Sequence, residues 1–305
     1  MISMPFAGMT PLRVLANCSE TFGCKVFGKL EIYNPTGSNK DRESQKIMRH
    51  AVRRRVRGLA IASTGNVAIS LAAYSYIHGM ECHVYIPRTI APERSSQIRA
   101  YGPIISLADG YDNAIAECQA IAKRDGLLNC NLGARVEKTK GDSAIGDEIA
   151  MKQRWSYVVC PTNNGTLLAG VWRGLKRNRV RTKLVASVAK ETRLAEGIAG
   201  FHRFEGEALS KAIKQSKGQI VEVSDHEISK AARPLASDGS IVEGAAAAAI
   251  AALRHVELSR KSSLLRNNGD RPQVSKRSQR TSKHGSFLRC IRESERKKSS
   301  FPGAN

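Results

Sequence analysis

Acidic residues are scarce in this 305-residue chain: 27 Asp and Glu stand against 49 Lys and Arg, a formal charge of +22. Aromatic residues make up only 5%, with two Trp. No run of roughly 18 apolar residues occurs, which excludes a transmembrane helix of the usual hydropathic kind. The opening MISMPFAGMTPL has neither a charged n-region nor a continuous apolar h-region, so no secretory leader is expected and the protein reads as cytoplasmic. Seven cysteines, Cys18, Cys24, Cys82, Cys118, Cys130, Cys160 and Cys290, are odd in number and form no Cys-x-x-Cys pair. A reduced compartment fits them better than a disulfide framework. Neither they nor the seven histidines fall at ligand spacings, so no metal site is expected.

What is present is the composition of a folded domain, 41% hydrophobic and 25% charged. The length has room for one large domain or two modest ones. The excess charge is unevenly spread. From Arg254 to the end there are 14 Lys and Arg against 4 Asp and Glu, a net +10, which leaves +12 for the first 253 residues. This tail is rich in Ser, Arg and Lys and poor in apolar residues, so it is expected to be disordered and to contribute no buried strand.

Upstream, short apolar runs alternate with amphipathic stretches. Strands are predicted over 25–32, 58–63, 81–87, 103–107, 157–161 and 183–189, and helices over 40–55, 67–78, 111–125 and 143–153. Such alternation argues for βαβ units and an α/β fold with mostly parallel sheet. Ser224-Asp225-His226-Glu227 has the form of a capping box. It opens a helix that a Pro-Leu step is expected to break, ahead of an Ala-rich helix around 245–249.

Three loops combine Gly with polar residues where a strand meets a helix, the places at which open α/β sheets bind ligands. In Asn34-Pro35-Thr36-Gly37-Ser38-Asn39-Lys40-Asp41-Arg42, a lysine stands at the mouth of a helix. The N–H groups there disfavour an ammonium and favour a nucleophilic amine, although a lone lysine is more often a solvated one. Ala62-Ser63-Thr64-Gly65-Asn66-Val67-Ala68 suits an anion, and an ordinary helix N-cap explains it as well. Val159-Cys160-Pro161-Thr162-Asn163-Asn164-Gly165-Thr166-Leu167 suits a phosphate held by backbone amides, or a plain turn.

Together, in this order, these segments resemble the fold-type II (tryptophan synthase β-like) pyridoxal-phosphate enzymes, and most nearly their threonine synthase branch. Lys29-Leu30-Glu31 through Arg42 is similar to the cofactor-lysine signature, and Gly8-Met9-Thr10-Pro11-Leu12 to the opening G-x-T-P-L. Asn39 departs from it, standing where the family commonly has a larger residue. Residues 62–68 resemble the S-[ST]-G-N loop and residues 161–167 the loop P-V-G-N-G-T-L. Asn163 takes the place of a glycine there, and because asparagine tolerates positive φ better than most residues the loop is expected to survive the change. Asp142-Ser143 departs from a segment usually reading G-x-K-T, and Val242-Glu243-Gly244-Ala245 resembles V-E-P-[AS].

The resemblance covers residues 8 to 253 and implies two α/β domains with pyridoxal 5'-phosphate in the cleft between them. Residues 1–45 plus 140–253 would form the larger domain and 46–139 the smaller. Lys40 would carry the cofactor and act as the catalytic residue. Asn66 would bond the ring oxygen, and Asn163, Asn164, Gly165 and Thr166 the phosphate. Ser63, Thr64, Gly65 and Asn66 would clamp the substrate carboxylate. The implied reaction is a lyase step in threonine biosynthesis, from O-phosphohomoserine and water to threonine and phosphate, in a homodimer acting on this amino-acid phosphate. A serine/threonine dehydratase or a cysteine synthase-like activity is the alternative on the same scaffold.

In the family, a further buried strand and a loop T-G-x-G-x-K follow the Ala-rich helix, the loop facing the pyridine nitrogen. Residues 254–305 show neither. A frame-shifted or degenerate end, a genuine basic extension, and a contact for nucleic acid or an acidic partner in a catalytically dead relative all remain open. Outside that tail no nucleic-acid binding is expected, and no membrane contact.

Overall fold

A computed structural model describes residues 6–131, 134–199, 206–256 and 290–293. Two sheets divide the strands. Gly58–Ala62 (β3), Glu81–Pro87 (β4), Ile104–Ala108 (β5) and Leu128–Asn129 (β6) form a parallel sheet in the order β5-β4-β3-β6. The other sheet holds Leu12–Val14 (β1), Val26–Lys29 (β2), Trp155–Pro161 (β7), Lys183–Val188 (β8), Gln219–Glu222 (β9) and Cys290–Glu293 (β10). Its order is β1-β2-β10-β7-β8-β9, parallel over β7 to β9 and antiparallel on the other side.

Period-two alternation puts helices on both faces of each sheet. Leu59 and Ile61 face Ile47 and Met48 of Lys40–Arg53 (α2) and Leu71 of Asn66–His78 (α3), while Ala60 and Ala62 face Ala114 and Cys118 of Tyr111–Asp125 (α5). In the larger sheet Val158 and Leu184 pack with Ile145 of Arg135–Ala150 (α6) and Val171 of Thr166–Arg177 (α7). On the opposite face Val159 and Val185 meet Leu235 of Asp225–Ser237 (α9) and the buried alanines of Gly244–Ala251 (α10). The boundaries expected near 45 and 140 fall inside α2 and α6, and α2 rests on α6 while its apolar face enters the four-stranded core.

Three expectations are corrected. A strand does follow Arg254: Cys290–Glu293 lies between β2 and β7, with Ile291 opposite both Phe27 and Val158. A gap between two strands is filled by main-chain hydrogen bonding, which the apolar count of the segment does not measure. Apart from residues 254–256, the rest of the tail lies outside the described residues, as does any loop facing the pyridine nitrogen. The Pro-Leu step breaks no helix, because α9 runs through Pro234 to Ser237. Burial of Ile228, Ala231 and Leu235 outweighs the roughly 3 kcal/mol that an interior proline costs. Finally, α6 starts at Arg135, eight residues ahead of the predicted Ser143. The capping box forms as expected, with Ser224 and Glu227 bonding reciprocally.

Glycines decide how close α6 comes to α7 and to α2. A Cβ on Gly146 would stand 2.2 Å from Val171 O, and one on Gly174 2.2 Å from Ser143 O. Likewise a Cβ on Gly141 would stand 2.5 Å from Arg42 O. Backbone therefore meets backbone where α6 touches both α7 and α2.

A buried charge network fixes the start of α2. Arg42 donates to Glu31 through Nε (2.6 Å) and Nη2 (2.9 Å), and to both oxygens of Glu148 on α6. Lys29 Nζ pairs with Glu148 at 2.7 Å and donates to Thr10 O at 2.6 Å. Thr10 Oγ1 donates to Glu31 at 2.7 Å, and Asn34 Nδ2 does so at 2.8 Å. Burial raises the Glu148 carboxyl, but hydrogen bonds and charge from Arg42 and Lys29 outweigh it and hold the group down at about 2.

Two outcomes are expected. Gly146→Ala and Gly174→Ala each lower stability by about 1–3 kcal/mol or more, because rigid backbone must part; urea unfolding reads this as a lower midpoint at unchanged slope. The Glu148 value lies below the ordinary 4.5, so its contribution, roughly 3 kcal/mol, is complete above pH 4.5 and disappears as pH falls through about 2. Glu148→Gln is therefore less stable at pH 7 and loses that part of the acid limb, as unfolding at pH 7 and pH 3 compares directly.

Candidate active site

Lys40 is the first residue of α2, as the sequence expects, behind the turn of residues 34–39 in which Gly37 has φ 84°. Asp41 ties that turn to α3. It accepts from Thr36 N (2.7 Å), Thr36 Oγ1 (2.6 Å) and Ser70 Oγ (2.6 Å). Burial raises this carboxyl, against the same hydrogen bonds. With Asp41 and Arg42 both anchored, the Lys40 backbone has little freedom. Its Nζ pairs with Glu43, one turn further on.

The loop 63–65 leads from β3 into α3. Ser63 N donates to Tyr85 O at 3.2 Å and Gly65 N to Ser63 Oγ at 3.3 Å. An added Cβ at Gly65 would meet no atom within 4 Å, so the mouth of α3 is open to a ligand. Asn66, the first residue of α3, is where distant elements meet. Its Oδ1 accepts from Arg94 Nη1 at 3.2 Å, and its Nδ2 donates to Glu243 Oε1 at 3.5 Å. Arg94 lies on Pro92–Arg99 (α4), and Glu243 directly precedes α10. Burial raises the Glu243 carboxyl, opposed by Arg94, Asn66 and the charge of Lys40. Lys40 and Asn66 thus share the neighbourhood of one carboxylate.

The third loop, 162–165, joins β7 to α7. Thr162 N donates to Ser187 O (2.8 Å), Asn163 Nδ2 to Ala199 O (3.0 Å) and Thr166 N to Asn164 Oδ1 (3.1 Å). The left-handed residue of this loop is Gly165, at φ 86°, and Asn163 is not among the positive-φ residues. One glycine suffices to turn the strand end into the helix. A 12-residue helix beginning at Thr166 directs its first N–H groups at this loop.

α6 relates this loop to Lys40. Asn39 Nδ2, beside Lys40, donates to Asp142 Oδ1 at 3.2 Å. A Cβ on Gly170 would stand 2.4 Å from Asp142 Cβ. Gly174 follows Gly170 along α7 as Ser143 and Asp147 follow Asp142 along α6, so the two helices run in the same direction. The first turn of α7 therefore lies toward the part of α6 that carries Lys138. Burial lowers the Lys138 amine, against Glu43, and the charge of Lys40 acts on it too. Lys40 and the start of α7 converge on one stretch of α6.

Sequence reading did not name Glu43, Arg94 or Lys138. Glu43 had a signal, its spacing of three from Lys40 on a helix. Arg94 and Lys138 had none, because only the fold brings them near.

The assembled groups are an amine, a side-chain amide, hydroxyls beside an open glycine, and the N-termini of two long helices. They match a carbonyl, a ring oxygen and anionic groups. The model of the family described as pyridoxal-phosphate dependent enzyme matches residues 4–267. A threonine synthase of Bacillus sp. (strain ULM1) is 31% identical over 274 residues, 82% of this chain and 78% of that one. Among solved structures, the processed form of threonine deaminase isoform 2 from Solanum lycopersicum superposes with a TM-score of 0.69 at 23% identity, covering 79% of this chain and 77% of that one. O-acetyl serine sulfhydrylase isoform 3 from Entamoeba histolytica gives a TM-score of 0.71 at 22% identity, covering 82% and 81%. These two likenesses are of fold.

Proposed function

The chain belongs to the pyridoxal-phosphate dependent enzyme family, and on that premise we propose that it is a lyase of threonine synthase type, converting O-phosphohomoserine and water to threonine and phosphate. Its cofactor is pyridoxal 5'-phosphate. The observation that carries the proposal is the position of Lys40, clamped at the mouth of α2 by Asp41 and Arg42, with Asn66 sharing Glu243 beside it. The identity to threonine synthases over most of the chain supports the choice of reaction.

In this reading Lys40 Nζ holds the cofactor and moves protons at Cα and Cβ of the substrate. Bound pyridoxal phosphate supplies an electron sink for the carbanions those transfers create. Asn66 fixes the ring through its oxygen, and Arg94 and Glu243 hold the Asn66 amide in one orientation. The amides of Gly165 and Thr166, with Asn163 and Asn164, hold the cofactor phosphate at the positive end of α7. Ser63, Thr64, Gly65 and Asn66 hold the substrate carboxylate at the mouth of α3. A homodimer is the proposed assembly.

The purified protein is expected to show the visible absorbance of bound cofactor, and borohydride treatment to fix that cofactor at residue 40. In Lys40→Ala the covalent label is lost and turnover falls by about a hundredfold or more. Threonine and phosphate should form from O-phosphohomoserine in equal amounts. Formation of 2-oxobutyrate and ammonia from threonine, with no threonine from O-phosphohomoserine, would reverse the order of the two enzyme readings.

A further inference from the structure

Glu43 has no part in the site as assigned, yet it is the partner of the lysine on which that site depends. Its side chain is 1% exposed, against 22% for Lys40. Lys138 approaches the same carboxylate from α6: the preceding Glu137 pairs with His50 of α2 at 3.1 Å, and a Cβ on Gly141, one turn further on, would stand 2.8 Å from Glu43 Cα. Burial lowers the Lys138 amine, and the charge of Glu43 opposes that shift most. One buried carboxylate therefore has one lysine paired with it and a second within electrostatic reach.

A buried carboxylate that loses its paired counter-charge is strongly destabilised. When the Lys40 amine, its extra proton released, condenses with a carbonyl carbon and the carbonyl oxygen leaves as water, the nitrogen is redirected toward the new bond and away from Glu43. The other cations near the site do not replace it. Arg94 is held by Asn66 and Glu243, and Arg42 by Glu31 and Glu148. Asp142, the second acid near Lys138, accepts from Asn39, and Asp41 is occupied by Thr36 and Ser70. Among the described residues, Lys138 is a cation within electrostatic reach of Glu43 that no ion pair ties to the start of α2.

Resting on the reading of Lys40 given above, we propose that Glu43 exchanges counter-ions, pairing with Lys40 before the amine takes the cofactor and with Lys138 afterwards. Lys138 is then a positioning residue for cofactor attachment: it keeps Glu43 compensated in the loaded enzyme and leaves Lys40 Nζ at liberty to turn. Removing it penalises the loaded form more than the unloaded one. Removing Glu43 as well abolishes the penalty, because no carboxylate is left to strand.

The test is titration of cofactor-stripped protein with pyridoxal 5'-phosphate, followed by absorbance, for wild type, Lys138→Met, Glu43→Gln and the double variant. Lys138→Met is expected to bind about tenfold more weakly or worse, Glu43→Gln no more weakly than wild type, and the double variant within about threefold of wild type. Unchanged affinity in Lys138→Met overturns the exchange. So does a loss that Glu43→Gln fails to repair, since a merely structural role of Lys138 gives that pattern. The two readings fail separately. Wild-type protein that binds the cofactor with no coupling between positions 43 and 138 refutes only the exchange, whereas protein that binds no cofactor, or binds it equally well as Lys40→Ala, refutes the assignment of Lys40 and the exchange with it.

Discussion

The guanidinium of Arg42 sits between two carboxylates that arrive from different parts of the chain, Glu31 just after β2 and Glu148 near the end of α6. Both are nearly shielded from water, as Arg42 itself is. A planar fork that must satisfy two acids at once tolerates little displacement. Because Lys40 is two residues away on the same helical turn, its backbone inherits that constraint. Buried ion pairs are poor evidence of net stability, since desolvation offsets most of their attraction. What this network contributes is position, together with a steep penalty for removing any one member.

α6 turns that local anchor into a site. Its glycines let α2 and α7 approach until main chains touch, closer than side chains allow. The two helices whose first residues are Lys40 and Thr166 are thereby measured from one rigid element. Their N-termini, with that of α3, bring partial positive charge and outward-pointing amides to the loops that precede them. An anionic ligand is the natural occupant of such loops.

Charge close to Lys40 is built from opposed pairs. Glu43 and Lys138 stand toward α6, Glu243 and Arg94 toward α10 and α4, and Asn66 links the second pair to α3. The formal +22 of the whole chain has little to do with this arrangement, since ten of those charges belong to the segment beyond residue 253. The immediate surroundings of a reactive amine are set by which carboxylate it faces and how deeply that carboxylate is buried.

The sequence by itself determined the alternation of strands and helices, because strand and helix periods are written in consecutive residues; β4 and α5 have the limits that their patterns imply. It determined the three loops as well, since Gly, Asn, Ser and Thr between an apolar strand and a helix answer to local backbone geometry. Tertiary structure alone decided the rest. The insertion of Cys290–Glu293 between β2 and β7 depends on hydrogen bonds to strands more than a hundred residues away, and α9 survives Pro234 because its buried face outweighs a local rule. The charges around Lys40 divide the same way: Glu43 is one helical turn distant and so was legible, whereas Lys138, Arg94 and Glu243 come from remote elements, and their approach is fixed by packing, which no local pattern records.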